Sequence, residues 1–229
     1  MAQAPNLIYN PTFFTAEWRV NGLWNRLLHQ AAENALGMNG NWQISPEAMP
    51  NFGDTNDYKA DLLVSRISPL NWNPNLYNIG TPFIHFEGKG AAGQSWTQIR
   101  YQIEVWCSRN AEFAPGKPCW AIGAKGSAVK MWLYSTSIDW ENQNNNTINS
   151  RMIPIYLNAQ GQIVLDLVTG QGATRVYYNP LIAADGGNPI QCNGNIGVGG
   201  DIWEILRLMF THPTGDGAGI INPIHGFVP

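Results

Sequence analysis

Apolar residues recur at Trp24, Leu27, Leu28, Ala31 and Ala35 within the stretch TAEWRVNGLWNRLLHQAAENAL. That spacing of about 3.6 residues predicts an amphipathic helix from Thr15 to Leu36. Thr15 or Asn21 is suited to cap its start, and Gly37 to close it just past the last turn. From Met38 to Asp61 the pattern dissolves into loop signals, with Pro46, Pro50, Gly53 and several Asn and Asp. Beyond that the period shortens. ADLLVSRIS (Ala60 to Ser68), PFIHFEG (Pro82 to Gly88) and SWTQIRYQIEVWCS (Ser95 to Ser108) read as strands. In the third, Ile99, Tyr101, Ile103, Val105 and Cys107 alternate with Arg100, Gln102 and Glu104, the period of two of a half-buried antiparallel strand. CWAIGA, AVKMWLYSTSI, RMIPIYLN, QIVLDLV and TRVYYNPLI continue the series between Gly, Pro and Asn clusters, and NAQGQ (Asn158 to Gln162) is a hairpin turn.

Eight or nine strands at this spacing predict an all-β fold, an antiparallel β-sandwich of the jelly-roll type, with one added N-terminal helix. Past GGNPIQCNGNIGVGG, the stretch DIWEILRLMF (Asp201 to Phe210) reads as a short helix with Asp201 as its N-cap. THPTGDGAGIINPIHGFVP then forms an extended C-terminal arm containing three prolines. No internal repeat or linker divides the chain. It reads as a single domain over 1–229, with a core over 6–187 that includes the helical insertion near 15–36, and a loop and arm over 188–229.

Composition narrows the role. Only 13% of the 229 residues are charged and the net charge is −3, against a usual charged share of roughly 25%. Nothing here supplies the basic surface that nucleic acid or an anionic membrane requires. No apolar run approaches the ~18 residues of a membrane-spanning helix. MAQAPNLIYN has neither a basic nor an apolar leader region, so a cytoplasmically made chain is expected. The cysteines are Cys107, Cys119 and Cys192, an odd number that argues against a disulfide framework. Cys107 and Cys119 flank a Pro/Gly loop and face each other if that loop is a hairpin; two buried thiols are the preferred reading. With no C-x-x-C, no zinc site is expected.

NLIYNPTF (Asn6 to Phe13), followed by GNWQIS (Gly40 to Ser45), resembles the opening of carbohydrate-binding jelly-roll modules. IRYQIEVWCSR (Ile99 to Arg109) is similar to the central strand of those modules, and RVYYNPLIAADGG (Arg175 to Gly187) to their closing strand. The same pattern occurs in accessory domains of tailed-phage virion proteins. Pro11 stands where the modules carry Gly, and the helix from Thr15 is an insertion. The resemblance implies a jelly roll from Asn6 to Gly187 and a virion or sugar-binding role.

Ten tryptophans give the strongest compositional signal. Trp106, Trp120 and Trp132 fall in or beside central strands and suit a core. Trp72, Trp96 and Trp140 fall near loops and form the candidate glycan platform, since sugars stack on exposed rings. Asp54, Asn56, Asp57 and Asp61 are the candidate Ca²⁺ ligands, weighed against ordinary turn chemistry; no other cofactor is expected. Asp139 with Glu141, and the strand carboxylates Glu87 and Glu104, are the acids a glycosidase could use. The histidines are scattered, and no G-x-S-x-G or phosphate loop occurs. The expected role is a non-enzymatic structural protein of a phage-type virus particle, a capsid decoration or fibre-type component. Its partners would be itself, as a homotrimer, and other virion proteins. Pro213, Ile220, Ile221, Pro223 and Phe227 of the arm would be the assembly contacts, since an arm orders only by lying on a neighbour. The alternative is a module that recognises surface glycan. The third reading is a polysaccharide-cleaving jelly roll.

Overall fold

The helical stripe near the N-terminus forms as its spacing predicts. In a computed structural model, the residues described are 12–37, 41–48, 59–66, 81–113, 118–134, 140–141, 152–157, 163–165, 167–169, 176–178, 189–192 and 195–212. Helix α1 (Glu17–Leu36) buries Val20, Trp24, Leu27, Leu28, Ala31 and Ala32. Its start differs from expectation. Ala16 occupies the cap position with no side-chain bond, and Asn21 lies inside the helix. The Thr15 hydroxyl instead donates to the Thr12 carbonyl at 2.8 Å, within a 3-10 turn over Phe13–Thr15. Glu17 in the first turn faces the positive end of the helix dipole. Gly37 closes the helix with φ +78°, its N–H donating to the Glu33 carbonyl at 2.9 Å.

The segment read as a third strand is a helix, α2 (Trp96–Phe113). Two periods coexist in it. Ile99, Ile103, Trp106 and Cys107 form a helical stripe and are buried apolar residues, whereas Tyr101, an apolar-phase position of the alternating pattern, is 66% exposed. What decides between the periods is the start. The Ser95 Oγ accepts the Gln98 N–H at 3.3 Å, while the Gln98 side-chain oxygen accepts the Ser95 N–H at 2.9 Å. This reciprocal capping box satisfies two helix-end donors at once. The resemblance drawn from Ile99 to Arg109 as a central strand is therefore corrected: that stretch lies in α2.

The strands are β1 (Trp42–Ala48), β2 (Ala60–Arg66), β3 (Thr81–Lys89), β4 (Cys119–Lys125), β5 (Ala128–Tyr134), β6 (Trp140–Glu141), β7 (Met152–Leu157), β8 (Ile163–Leu165), β9 (Leu167–Thr169), β10 (Val176–Tyr178) and β11 (Ile190–Gln191). A third helix, α3 (Asp201–Thr211), follows as expected, although Gly200 and not Asp201 holds the cap position. One eight-stranded sheet runs β1-β2-β3-β4-β5-β7-β8, with β11 also on β5; β6, β10 and β9 pair separately as a three-stranded sheet. The large sheet is open and mostly antiparallel. Its parallel pair is β3 with β4, joined by α2 as a β-α-β crossover. A register shift between β2 and β3 pairs Ser65 with Pro82 and Val64 with Ile84. Phe83 is the extra residue of this bulge, which places it beside Ile84 in the same core.

Alternation along the central strands divides the side chains between two cores. Leu62, Val64, Ile84, Phe86, Trp120, Ile122, Met131 and Leu133 pack with α1 and α3. Cys119, Ala121, Trp132, Tyr134 and Met152 pack with Ile99, Ile103, Trp106 and Cys107 of α2. Helices on both faces explain why β4 and β5 are buried along almost their whole length and read as continuous apolar runs. Among the described residues the large sheet thus packs on helices. The sheet-rich part of the expected fold is present: the described residues form an open, mostly antiparallel sheet together with three α-helices.

Replacing Ser95 by Ala should lower stability by about 1 kcal/mol, and Ser95→Asp should restore most of it. Urea unfolding followed by far-ultraviolet circular dichroism reads the difference. An unchanged midpoint in Ser95→Ala would show that the box does not hold the start of α2.

Candidate functional site

The polar groups of the interior lie on the face that α2 covers. Since Leu62, Val64, Ile84 and Phe86 point to the α1–α3 side, alternation turns Asp61, Leu63, Ser65, His85 and Glu87 towards α2. The register places Asp61 across from Glu87, Glu87 beside Gly123, and Gly123 beside Lys130. The next row is Leu63, His85, Ala121 and Trp132. At Gly123 α2 packs close against the sheet. A Cβ there would lie 2.8 Å from Ile99 Cγ2 and 3.0 Å from the Trp132 ring.

The first row is a charge cluster. Lys89 Nζ lies 2.7 Å from Glu87 Oε1 and 2.9 Å from Glu17 Oε1. The Gly88 N–H donates to Asp61 Oδ2 at 2.8 Å. Three carboxyl groups therefore share one ammonium. Burial pushes Glu87 up to about 8, and the charge of Asp61 adds to the rise, against the pull of Lys89. Burial also raises Asp61, opposed by the Gly88 N–H and Lys89. Burial opposes the charge on Lys89, but Glu87, Glu17 and Asp61 outweigh it and hold its pKa above the ordinary value. At neutral pH Glu87 accordingly keeps its proton in the fold, and it is only 2% exposed. Asp61 belongs to this cluster. Asp54, Asn56 and Asp57, its expected partners in a Ca²⁺ site, lie outside the described residues.

Trp96, from the expected glycan platform, opens α2 half-buried against the second core, with Lys130 Nζ 5.1 Å from its ring centroid. Trp72 lies outside the described residues, as does the side chain of Trp140, whose backbone is in β6. The platform is not brought together among the described residues. Of the acids considered for glycosidase chemistry, Glu104 sits on a helix and pairs with Arg100 at 3.3 Å; Asp139 and the Glu141 side chain fall outside the described residues.

A second group was not legible in the sequence. His85 from β3, Cys107 from α2 and Cys119 from β4 have their ligand-type atoms within 4.8 Å of one another, and all three are buried. No disulfide joins the cysteines. The expected hairpin between them is a helix-to-strand return, yet it brings the thiols together as anticipated. Neither ring nitrogen of His85 has a hydrogen-bond partner, and the residue is fully buried. Burial, and then the neighbouring Cys119, push the Cys107 thiol well up. Cys192, in the other core, is raised to about 12 by burial.

No known protein family, curated protein or solved structure matches this chain. Chemically, the α2-covered face offers a protonated carboxyl beside a carboxylate and an ammonium, and one imidazole between two thiols. Sequence spacing could not have found the second group, because its members come from three elements and meet only after the crossover is formed. The one local hint was the pair of cysteines on either side of a Pro/Gly loop.

The Glu87 shift has a defined sign. Folded Glu87 holds its proton between its ordinary value of 4.5 and about 8, where the unfolded chain has released it. Its contribution is therefore fully present below about 4.5 and is lost as pH rises towards about 8, with a slope of at most ~1.4 kcal/mol per pH unit. Glu87→Gln should flatten that slope, so the variant gains on the natural chain as pH rises. Urea midpoints of both proteins across this range check it; a constant difference between them would mean that Glu87 is ionised throughout.

Proposed function

We propose that this chain is a non-enzymatic structural protein of a phage-type virus particle, a capsid decoration or fibre-type component that assembles with itself and with other virion proteins. The observation that carries this reading is the internal use of its chemistry-bearing side chains. Trp24, Trp106, Trp120, Trp132 and Trp203 are all at most 7% exposed and fill the two cores. His85 and Glu87 are sealed beneath α2. A sheet clamped between helix layers by aromatic packing suits a rigid building block, and the low charge suits a surface lying among neighbours. A jelly roll would need a second sheet stacked on the first. The β6–β10–β9 sheet is the described candidate, but helices already cover the central strands on both faces, so the proposal rests on the layered sheet.

The glycan-recognition reading keeps one observation in its favour. Trp18 is 70% exposed on α1, with the Arg19 guanidinium carbon 4.9 Å from its ring centroid. Under that reading Trp18 is an exposed stacking ring.

Light scattering coupled to size exclusion should give a trimer for the full chain and a monomer for a chain ending at His212, which lacks Pro213, Ile220, Ile221, Pro223 and Phe227. His212 must be kept, since its carbonyl accepts the Trp120 Nε1–H at 2.8 Å. A monomeric full chain, or a truncated chain that still trimerises, overturns the arm-mediated assembly. Mass spectrometry of purified particles should find the chain in stoichiometric amount; its absence overturns the virion assignment. A glycan-array signal lost in Trp18→Ala would transfer the conclusion to recognition.

A further inference from the structure

We propose that His85, Cys107 and Cys119 bind a thiophilic divalent metal ion, zinc, which pins α2 to β3 and β4. Nothing in the structural role proposed above requires this site, and each can fail without the other.

Geometry is the first support. In a four-coordinate zinc site with metal–sulfur bonds of about 2.3 Å and metal–nitrogen bonds of about 2.0 Å, neighbouring ligand atoms sit roughly 3.5–4 Å apart. The three ligand-type atoms here lie within 4.8 Å of one another, so side-chain rotation of under about 1 Å closes them on one ion. They come from β3, α2 and β4, elements that the parallel pairing and the crossover already hold together.

The second support is the imidazole. His85 is fully buried, and neither ring nitrogen meets a donor or an acceptor. An imidazole left that way in an apolar core carries an uncompensated desolvation cost. A metal on one nitrogen gives its lone pair a partner, in the place where two sulfurs supply the rest of the coordination.

Charge and softness select the ion. Two sulfurs and one imidazole nitrogen favour zinc over magnesium or calcium, which take oxygen ligands. Binding releases one proton from each thiol to solvent and forms two metal–sulfur bonds. Two thiolates then balance the divalent charge, so the buried complex is neutral. A monovalent copper ion would leave one net negative charge in the same dry core.

The test uses the full chain, produced in zinc-supplemented medium and freed of loosely bound metal by gel filtration. Elemental analysis should find about one zinc per chain. Replacement by cobalt should give the near-ultraviolet thiolate-to-cobalt charge-transfer band and the intense visible bands of a tetrahedral site. Cys107→Ser and Cys119→Ser should each lose the charge-transfer band or most of its intensity, whereas Cys192→Ala, altered on the other face of the sheet, should keep both metal and band. If a serine variant fails to fold, the cobalt spectrum and zinc content of the natural chain still decide the matter. The proposal is overturned by a natural chain that takes up neither zinc nor cobalt. It is equally overturned by folded Cys107→Ser and Cys119→Ser variants with undiminished bands, or by a Cys107–Cys119 disulfide in protein prepared under reducing conditions.

Discussion

Close contact between α2 and the sheet at Gly123 organises this molecule. Only a residue without a side chain lets Ile99 and the Trp132 ring approach β4 so closely there. That approach lets α2 cover the centre of the sheet and seals its polar row from water. It also makes the β3–β4 pairing possible, because parallel neighbours need a crossover that returns the chain to the same end. The charge cluster around Lys89 and the imidazole–thiol group both lie beneath the result. Once water is excluded, burial disfavours the charge on Glu87 and the neighbouring Asp61 adds to that, and Lys89 does not offset the two.

How much of this the residues reveal on inspection depends on the range of the interaction. α1 and α3 are legible because each carries an apolar stripe at helical spacing and packs it against one layer. β2, β3, β4, β5 and β7 are legible as apolar runs between turn residues. α2 misleads because Ile99, Ile103 and Cys107 belong to both an alternating and a helical pattern. The deciding signal was local: Ser95 and Gln98 sit at capping-box spacing. Without α2 as a helix there is no crossover, and no layer that turns a sandwich into a helix-covered sheet. The site was less legible than the fold. Sequence spacing groups Asp61 with Asp54, Asn56 and Asp57, whereas its structural partners are Gly88, Glu87 and Lys89, which register alone brings near. His85 carried no local mark at all.

The tryptophans show why composition is a poor guide to role. Their number suggested stacking surfaces, yet Trp24, Trp106, Trp120, Trp132 and Trp203 serve the interior. A sheet with two covered faces has twice the core of a sheet with one, and large rings fill the span between helix and strand economically. The scarcity of charge has the same origin. The described central strands face one core or the other, and the charged residues that do enter, such as Lys89, Glu87 and Lys130, are met by ion pairs or aromatic faces.

The parallel pair also sets an order of events. β4 and β5 join through a two-residue turn at Gly126 and Ser127, with Gly126 at φ +58°, and such hairpins close in microseconds. β3 cannot find β4 that way: the chain must first wind α2 and lay it across the sheet, paying loop-closure entropy before any pairing rewards it. Pairing of β3 with β4 thus waits on the seating of one helix. Until it happens β3 and β4 present unpaired edges, which makes the nascent chain most open to wrong partners just before its interior polar groups are assembled.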